Sequence, residues 1–364
     1  MNLRSILEQI DDPRRKLTRL HDLNDILLIG IIAVICGADT WNEIEQYARE
    51  KEEFLRTFLN LPNGIPSHDT FNRVFSAIDS NQFETCFLEW VMSFTKLIDK
   101  EVVAIDGKAI KGAKSHGKKS PIHMVSAWAS ANNVVLGQEK VSEKSNEITA
   151  IPKLLEVLLL KGCIVTIDAM GCQTDIASKI VEKDAAYILA VKENQKQLYL
   201  DIKDEFRFAK NLRTDLSEDT SHGRIETRKC SIITDFNHIE NPEKWEQLRT
   251  IIRIESRREF KNSNKPTQTA TRYYISNLEA NPEDFQKAVR SHWGIENKLH
   301  WALDVAFSED ASRKRTGNSA QNFSILNKIA LNLLRKDTKS KVGVKSRRLK
   351  AAWSNKYLMK ILNL

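Results

Sequence analysis

The stretch EVVAIDGKAIKG, Glu101 to Gly112, decides how this chain is read. Four apolar residues in a row, Val102 to Ile105, run into Asp106 and then Gly107. That is the pattern of a buried strand ending on a carboxylate where the backbone turns. It returns downstream as GCIVTIDAMG, Gly162 to Gly171, where Ile164 to Ile167 deliver Asp168. An Asp in such a place also serves as a turn former that caps its own backbone. Two strands offering one Asp each, however, make half of a hard-cation site.

Between the two Asp residues the runs MVSAWAS and VVLGQEKV read as strands joined through Ala131-Asn132-Asn133, a good hairpin turn. Asn146 then caps a helix holding Ile151, Leu154, Leu155, Leu158 and Leu159, which leads into the Asp168 strand. A helix over about 174–183 and a strand over 187–191 complete a unit of residues 99–194. Strand, strand, strand, helix, strand, helix, strand is the winding of a ribonuclease H-like α/β sheet. Crossover handedness brings its first and fourth strands side by side and parallel. Asp106 and Asp168 then share one end of neighbouring strands, ~5 Å apart. Bare carboxylates that close raise one another's pKa unless cations hold them ionised.

Residues 1–98 read as an all-α domain. Gly37 stops the apolar run, Thr40 with Glu43 makes a capping box for a helix through about Leu59, and Ser67 or Asp69 caps the next. The helix pair around 41–79, with Arg73 exposed, fits either a DNA-reading motif or a plain bundle. Residues 195–280 interrupt the core with a polar helix and the strand-like runs HGRIETRKCSII, LRTIIRIESRR and YYISNL, read as an inserted, mostly β subdomain. Its alternating Arg224, Glu226 and Arg228 suit solvent or a phosphate backbone. Residues 281–335 return to core helices, and 336–364 read as a basic tail.

In 281–335, His292, Glu296, His300 and Asp304 recur at intervals of four, a polar stripe on one helix face. Zinc helices place two His four apart with Glu beside the first, which is not this spacing. A solvated face and a single metal-facing Glu296 both remain open. Gly107 to Ser115 resembles a phosphate-binding loop, yet Ala113 stands where Lys must directly follow the second Gly.

The net charge is +8 and the pI about 9.1. Basic residues gather at Arg14, Arg15, Lys16 and Arg19, at Lys108, Lys111, Lys114, Lys118 and Lys119, and from Arg335 to Lys350. The middle cluster abuts the acid pair, which favours a polyanionic partner. Five widely spaced cysteines without a C-x-x-C pair suit a reducing cytoplasm. The longest apolar run, Ile26 to Cys36, has 11 residues, short of the ~20 a membrane span needs.

These residues resemble the DDE transposases of insertion sequences, in the branch of the H-repeat-associated proteins of Rhs elements. The resemblance covers nearly the whole chain in four ordered blocks. They are the N-terminal DPRRKLTRLHDLNDILL with LPNGIPSHDTFNRVF, then AIDGKAIKGA, then KSNEITAIPKLL with TIDAMGCQ, and finally SHWGIENKLHWALDVAFSEDASR. It implies DNA-strand cleavage and joining by Asp106, Asp168 and Glu296, separated by 62 and 128 residues. It implies two divalent cations, Mg²⁺ or Mn²⁺, with Asp106 bridging both, Asp168 holding one and Glu296 the other. DNA is the implied partner, bound by a homodimer at the bacterial nucleoid, with no membrane. The broader group carries Tyr and Arg ahead of the Glu and Lys after it. Here those positions are Val289, His292 and Leu303, so Arg290 and Lys298 stand in, with Lys108, Lys111, Lys114 and His292 near DNA. An inactive or domesticated DNA-binding protein, and a nuclease that cuts without joining, are the alternatives.

Overall fold

The computed structural model describes residues 3–114, 121–142, 146–210, 212–221, 223–261 and 265–362, without the side chains of Thr18 and Lys114. It opens on six helices: α1 (Leu3–Leu7), α2 (Leu23–Ile35), α3 (Trp41–Glu50), α4 (Glu52–Leu55), α5 (His68–Ala77) and α6 (Ser80–Met92). Their starts are set locally. Asp22 accepts from the Asn24 and Asp25 N–H groups, Thr40 and Glu43 form the reciprocal capping box, and Ser67 accepts from Thr70 N–H. α2 is buried nearly all round, as its continuous apolar run requires. Gly37, at φ +113°, takes the left-handed turn after it. The helix expected to reach about Leu59 breaks at Lys51, and α6 ends at Met92, which leaves Ile98 exposed.

Nine strands follow: β1 (Val102–Lys114), β2 (Pro121–Ala129), β3 (Val134–Lys140), β4 (Ile164–Ile167), β5 (Ala186–Val191), β6 (Arg213–Ser221), β7 (Arg224–Ile233), β8 (Thr250–Phe260) and β9 (Gln268–Ser276). Three helices lie among them: α7 (Glu147–Val157), α8 (Thr174–Glu182) and α9 (Lys196–Phe208). All nine strands form one mixed sheet in the order β3-β2-β1-β4-β5-β9-β8-β7-β6. β1 runs antiparallel to β2 and parallel to β4, and β4 runs parallel to β5, as the expected winding demands. The strands read as a separate subdomain extend the same sheet, because β9 pairs antiparallel with the edge of β5. β6, RTDLSEDTS, is a polar strand with no counterpart among the strand-like runs of the sequence.

The C-terminal part holds α10 (Pro282–His292), a π-helical turn (Ile295–His300), α11 (Trp301–Phe307), α12 (Ser319–Lys336), α13 (Val344–Trp353) and α14 (Asn355–Leu362). The expected basic tail is therefore two packed helices, anchored by buried Ala351, Tyr357, Leu358 and Ile361. α12 is buried along most of its length and joins one apolar core that runs from α2, α5 and α6 to the inner face of β1–β5. The N-terminal helices thus share their interior with the sheet. None of the described helices is long and apolar enough to cross a membrane.

One buried cation in this core makes a test of its packing. Lys314, 8% exposed, donates to the Asp39 carbonyl (2.7 Å) and lies over the Phe323 ring. Burial depresses its pKa to about 8, against the pull of Asp39 and Glu43. Between about pH 8 and the unfolded value of 10.5 the unfolded chain binds more protons, so stability rises with pH across that window. Below pH 8 the cost is constant. Denaturant titrations from pH 7 to 10.5 should show this rise in the wild type and lose it in Lys314→Met.

Candidate active site

Pairing between β1 and β4 stops at Ile105 opposite Ile167, so Asp106 and Asp168 are the next residues on adjacent parallel strands. The two differ in local role. Asp168 does act as a turn former: its carboxylate accepts from Met170 N–H (3.1 Å) and Gly171 N–H (3.4 Å) and caps a short 3₁₀ turn. Asp106 does not end its strand. β1 continues on its β2 side, with Asp106 opposite Ser126, Gly107 opposite Val125 and Lys108 opposite Met124. Burial pushes the Asp106 carboxyl up to about 7, and the charges of Asp168, Glu147 and Glu296 add to this while the Gly107 N–H opposes it.

The polar stripe reaches the same place by a different geometry. Between α10 and α11 the helix widens into the π turn, with the Trp301 N–H bonded to the Glu296 carbonyl, so intervals of four no longer mark one straight face. His292 Nδ1 lies 3.0 Å from Thr166 Oγ1, His300 Nδ1 3.5 Å from Asp106 Oδ2, and Asp304 2.6 Å from Lys108 Nζ. Glu296 is exposed and close enough for its charge to act on Asp106. Burial, followed by Lys108 and Lys328, lowers the His300 pKa to about 4 and keeps the imidazole neutral near pH 7.

Lys108 faces inward, where a solvated phosphate ligand had been expected. Its side chain is 12% exposed, and its ammonium meets Asp304 (2.6 Å), Glu309 (3.0 Å) and Asp310 (3.1 Å). Burial works against the charge, and these carboxylates more than offset it. Lys111 is exposed and pairs with Asp310 at 2.8 Å. A Cβ on Gly112 would collide with the Ser312 carbonyl, so glycine there lets residues 310–312 pack on β1. The Lys114 side chain, with Lys118 and Lys119, lies outside the described residues. His292 is held by Thr166, Arg290 pairs with Asp219, and Lys298 donates to Asn133 Oδ1 (2.9 Å).

From Lys108 a buried polar chain crosses the molecule. Glu309 accepts from Lys108 and from Ser324 Oγ (3.2 Å), Lys328 donates to Ser324 (2.8 Å) and to Gln138, and the Gln138 N–H donates to Glu84 on α6 (3.0 Å). Glu84, Glu309 and Lys328 are all buried; against its burial, Lys328 and Lys108 hold the Glu309 carboxyl below its usual range, while burial pushes Glu84 up to about 8.

Of two cavities here, one is bordered by Asp168 and the other by residues next to Glu296 in the chain. A groove of about 810 Å³ is lined by Arg224, Arg228, Arg258, Arg272, Arg290 and Lys298, with Trp293, Gly294 and Asn297 beside Glu296. Among the described residues Arg224 Nε, Arg228 Nη1 and Arg258 Nε are buried N–H groups without an acceptor. A hollow of about 640 Å³ borders Asp168, and Arg272 lines both spaces. A cavity of about 800 Å³ at the opposite end of the strands, against Val102 and Ile164, adjoins neither Asp. Size does not single out the site; the acids and the arginines do.

Residues 97–333 match the family model described as "Transposase DDE domain", and residues 4–91 match the one described as "DDE_Tnp_1-associated". The chain belongs to the DDE transposase family. This transposase is 44% identical to "Putative transposase YncI" of Escherichia coli O157:H7, over 100% of this chain and 95% of that protein. It is 39% identical to "H repeat-associated putative transposase YhhI" of Escherichia coli strain K12, over 100% and 98%. Among solved structures, a piggyBac transposase synaptic complex with hairpin DNA aligns with a TM-score of 0.48 at 11% identity, covering 99% of this chain and 78% of that one.

Transposases of this family use divalent cations, for which carboxylate oxygens are the suitable donor type. Asp106 and Asp168 follow paired residues on adjacent strands, and the charges of Asp168, Glu147 and Glu296 act on Asp106. Among the described residues no three Asp, Glu, His or Cys side chains are gathered tightly enough to hold an ion as they stand. Like charges hold such groups apart, and a cation would draw them together. Sequence reasoning missed Glu147 as an acid acting on Asp106 and the groove arginines Arg258 and Arg272, and it placed His300 in the polar stripe without its position beside Asp106. Glu147 directly follows the cap Asn146, so its place beside the strand ends was within reach of the pattern.

Proposed function

We propose that this transposase cleaves DNA strands at the ends of an insertion element and joins them to a target, on a ribonuclease H-like core. The observation that carries the reading is the pairing of β1 with β4, which sets Asp106 and Asp168 next to each other where the charge of Glu296 acts on Asp106. Asp106, Asp168 and Glu296 would hold two divalent cations. When bound, such ions acidify the attacking water or 3′-hydroxyl and steady the leaving oxygen of an in-line displacement. The chain's own part is to fix the acids: the β1–β2 ladder holds Asp106, the 3₁₀ cap holds Asp168, and Lys108 ties α11 to β1. Neutral His300 fills the space beside Asp106 without competing as a cation.

The groove is the proposed path of the DNA strand. The arginines that line it suit phosphate oxygens, and Trp293, with the Arg272 guanidinium 5.5 Å from its ring, offers a face to a base. A helical domain over 1–98 and a homodimer on DNA belong to the same reading. Purified protein, labelled element ends and Mg²⁺ should give cleaved and joined products, and Asp106→Ala, Asp168→Ala and Glu296→Ala should give neither. Cleavage that survives any of the three refutes the assignment, and cutting without joining makes the protein a nuclease. Replacing Arg224 and Arg272 together by Ala should flatten the fall of log K with log salt by about 0.9 for each phosphate no longer neutralised. An unchanged slope would move the DNA elsewhere.

A further inference from the structure

We propose that Glu147 is a fourth carboxylate of the divalent-cation site, reaching it through a notch that Gly107 leaves in β1; this rests on the metal-dependent reading above. Gly107 is the starting point. It lies inside a continuous strand, opposite Val125, and its φ is not among the positive ones, so no turn explains a glycine there. What explains it is space. A Cβ at 107 would collide with the Glu147 carboxylate, whose second oxygen would lie 2.7 Å away. The acid therefore occupies the volume over the peptide that directly follows Asp106.

Its placement is built in. Asn146 caps α7 by accepting from Ile148 N–H (3.1 Å), and Glu147 is the first residue of the helix, so its direction is set by the cap. α7 packs across β2 and β3, which aims its start at the β1 end where Asp106 and Asp168 meet. An acid in the first turn is ordinarily explained by the helix dipole. That role asks for no cradle in a neighbouring strand and gains nothing from burial beside two other acids. Here Glu147 is half-buried and close enough for its charge to act on Asp106 and to be acted on by that of Asp168. Three acids crowded around one strand end, with a side chain deleted from the strand to admit the third, are accounted for when a cation binds between them.

The test uses the full chain and Mn²⁺, titrated by calorimetry, with melting temperatures read in EDTA and in Mg²⁺. Glu147→Gln should weaken Mn²⁺ binding about tenfold or more, since affinity for a hard cation follows the number of charged ligands. It should also raise the metal-free melting temperature and shrink the Mg²⁺-induced increase. Gly107→Ala, which fills the notch but keeps the acid, should weaken Mn²⁺ in the same direction. Glu147→Gln binding Mn²⁺ like the wild type while Asp106→Asn loses it would overturn the inference and leave the three-acid site standing. A lower metal-free melting temperature with an unchanged Mg²⁺ response would overturn it as well, making Glu147 a helix-end acid. If Asp106→Asn and Asp168→Asn also bind Mn²⁺ like the wild type, the three-acid reading falls first.

Discussion

Asp106→Asn should abolish strand cleavage, by roughly a thousandfold or more, and at the same time make the metal-free protein harder to unfold. The first effect follows from position. Asp106 is the residue on which Asp168, Glu147 and Glu296 all act, so it faces the whole acid cluster. Removing one pre-organised group that stabilises developing charge ordinarily costs on the order of 10² to 10³ in rate, and a carboxylate that would serve two ions, as proposed above, should lie at the upper end. The second effect follows from the same crowding. At pH 8 the wild type carries a buried carboxylate facing other carboxylates, 18% exposed at its side chain. The amide keeps the shape and removes the repulsion, a gain of about 2 kcal/mol of the kind seen when active-site strain is relieved. Urea midpoints in EDTA should rise in the variant, and Mg²⁺ should stabilise the wild type more than the variant. A variant that is both inactive and less stable would mean that Asp106 holds the fold rather than the chemistry.

Arg348→Met should lower the unfolding free energy by about 3–5 kcal/mol, the cost of breaking a buried ionic network from one side. Arg348 is 4% exposed on α13, and its guanidinium donates to the carbonyls of Val34 and Ala306 and to Asp39 Oδ1 (2.7 Å). Val34 lies in the last turn of α2 and Ala306 in that of α11, so one side chain satisfies carbonyls at two helix ends. Methionine fills the space and leaves those acceptors and Asp39 without their donor. Arg347→Met is the control. Arg347 bonds the Leu334, Ser340 and Val342 carbonyls from a less buried position, where water can replace it, so its loss should cost much less. Equal losses in the two variants would show that packing rather than buried hydrogen bonding holds α13.

What the sequence made legible was local or periodic. The caps at Thr40, Ser67 and Asn146, the left-handed Gly37 and the hairpin at Asn133 each depend on a few adjacent residues, and all are present. The neighbouring of Asp106 and Asp168 was legible because crossover handedness leaves few ways to wind the sheet. Less legible was anything decided by a distant partner. Gly107 looked like a turn because the cause of its missing side chain, Glu147, is 40 residues away. Lys108 looked like a phosphate ligand because Asp304, Glu309 and Asp310 lie some 200 residues on. β6 has no apolar alternation, since its residues are exposed or half-exposed along the strand, and only pairing with β7 makes it one. The last helices were hidden by their own charge, because Arg348 is buried and Lys360 pairs with Asp337.

The line of buried groups from Glu84 to Lys108 bears on how copies of such an element decay. Lys328, 1% exposed, is acted on by Glu309, which packs beside β1, and by Glu84 on the sixth helix. A gene copy that lost the codons for residues 1–98 would still encode Asp106, Asp168 and Glu296, yet its product would lose Glu84 and leave the Lys328 ammonium in the interior with Glu309 as its remaining acid. Such a remnant would fail by misfolding and proteolysis before it could engage DNA, so a deletion at the front of the gene silences the reactive end without touching it.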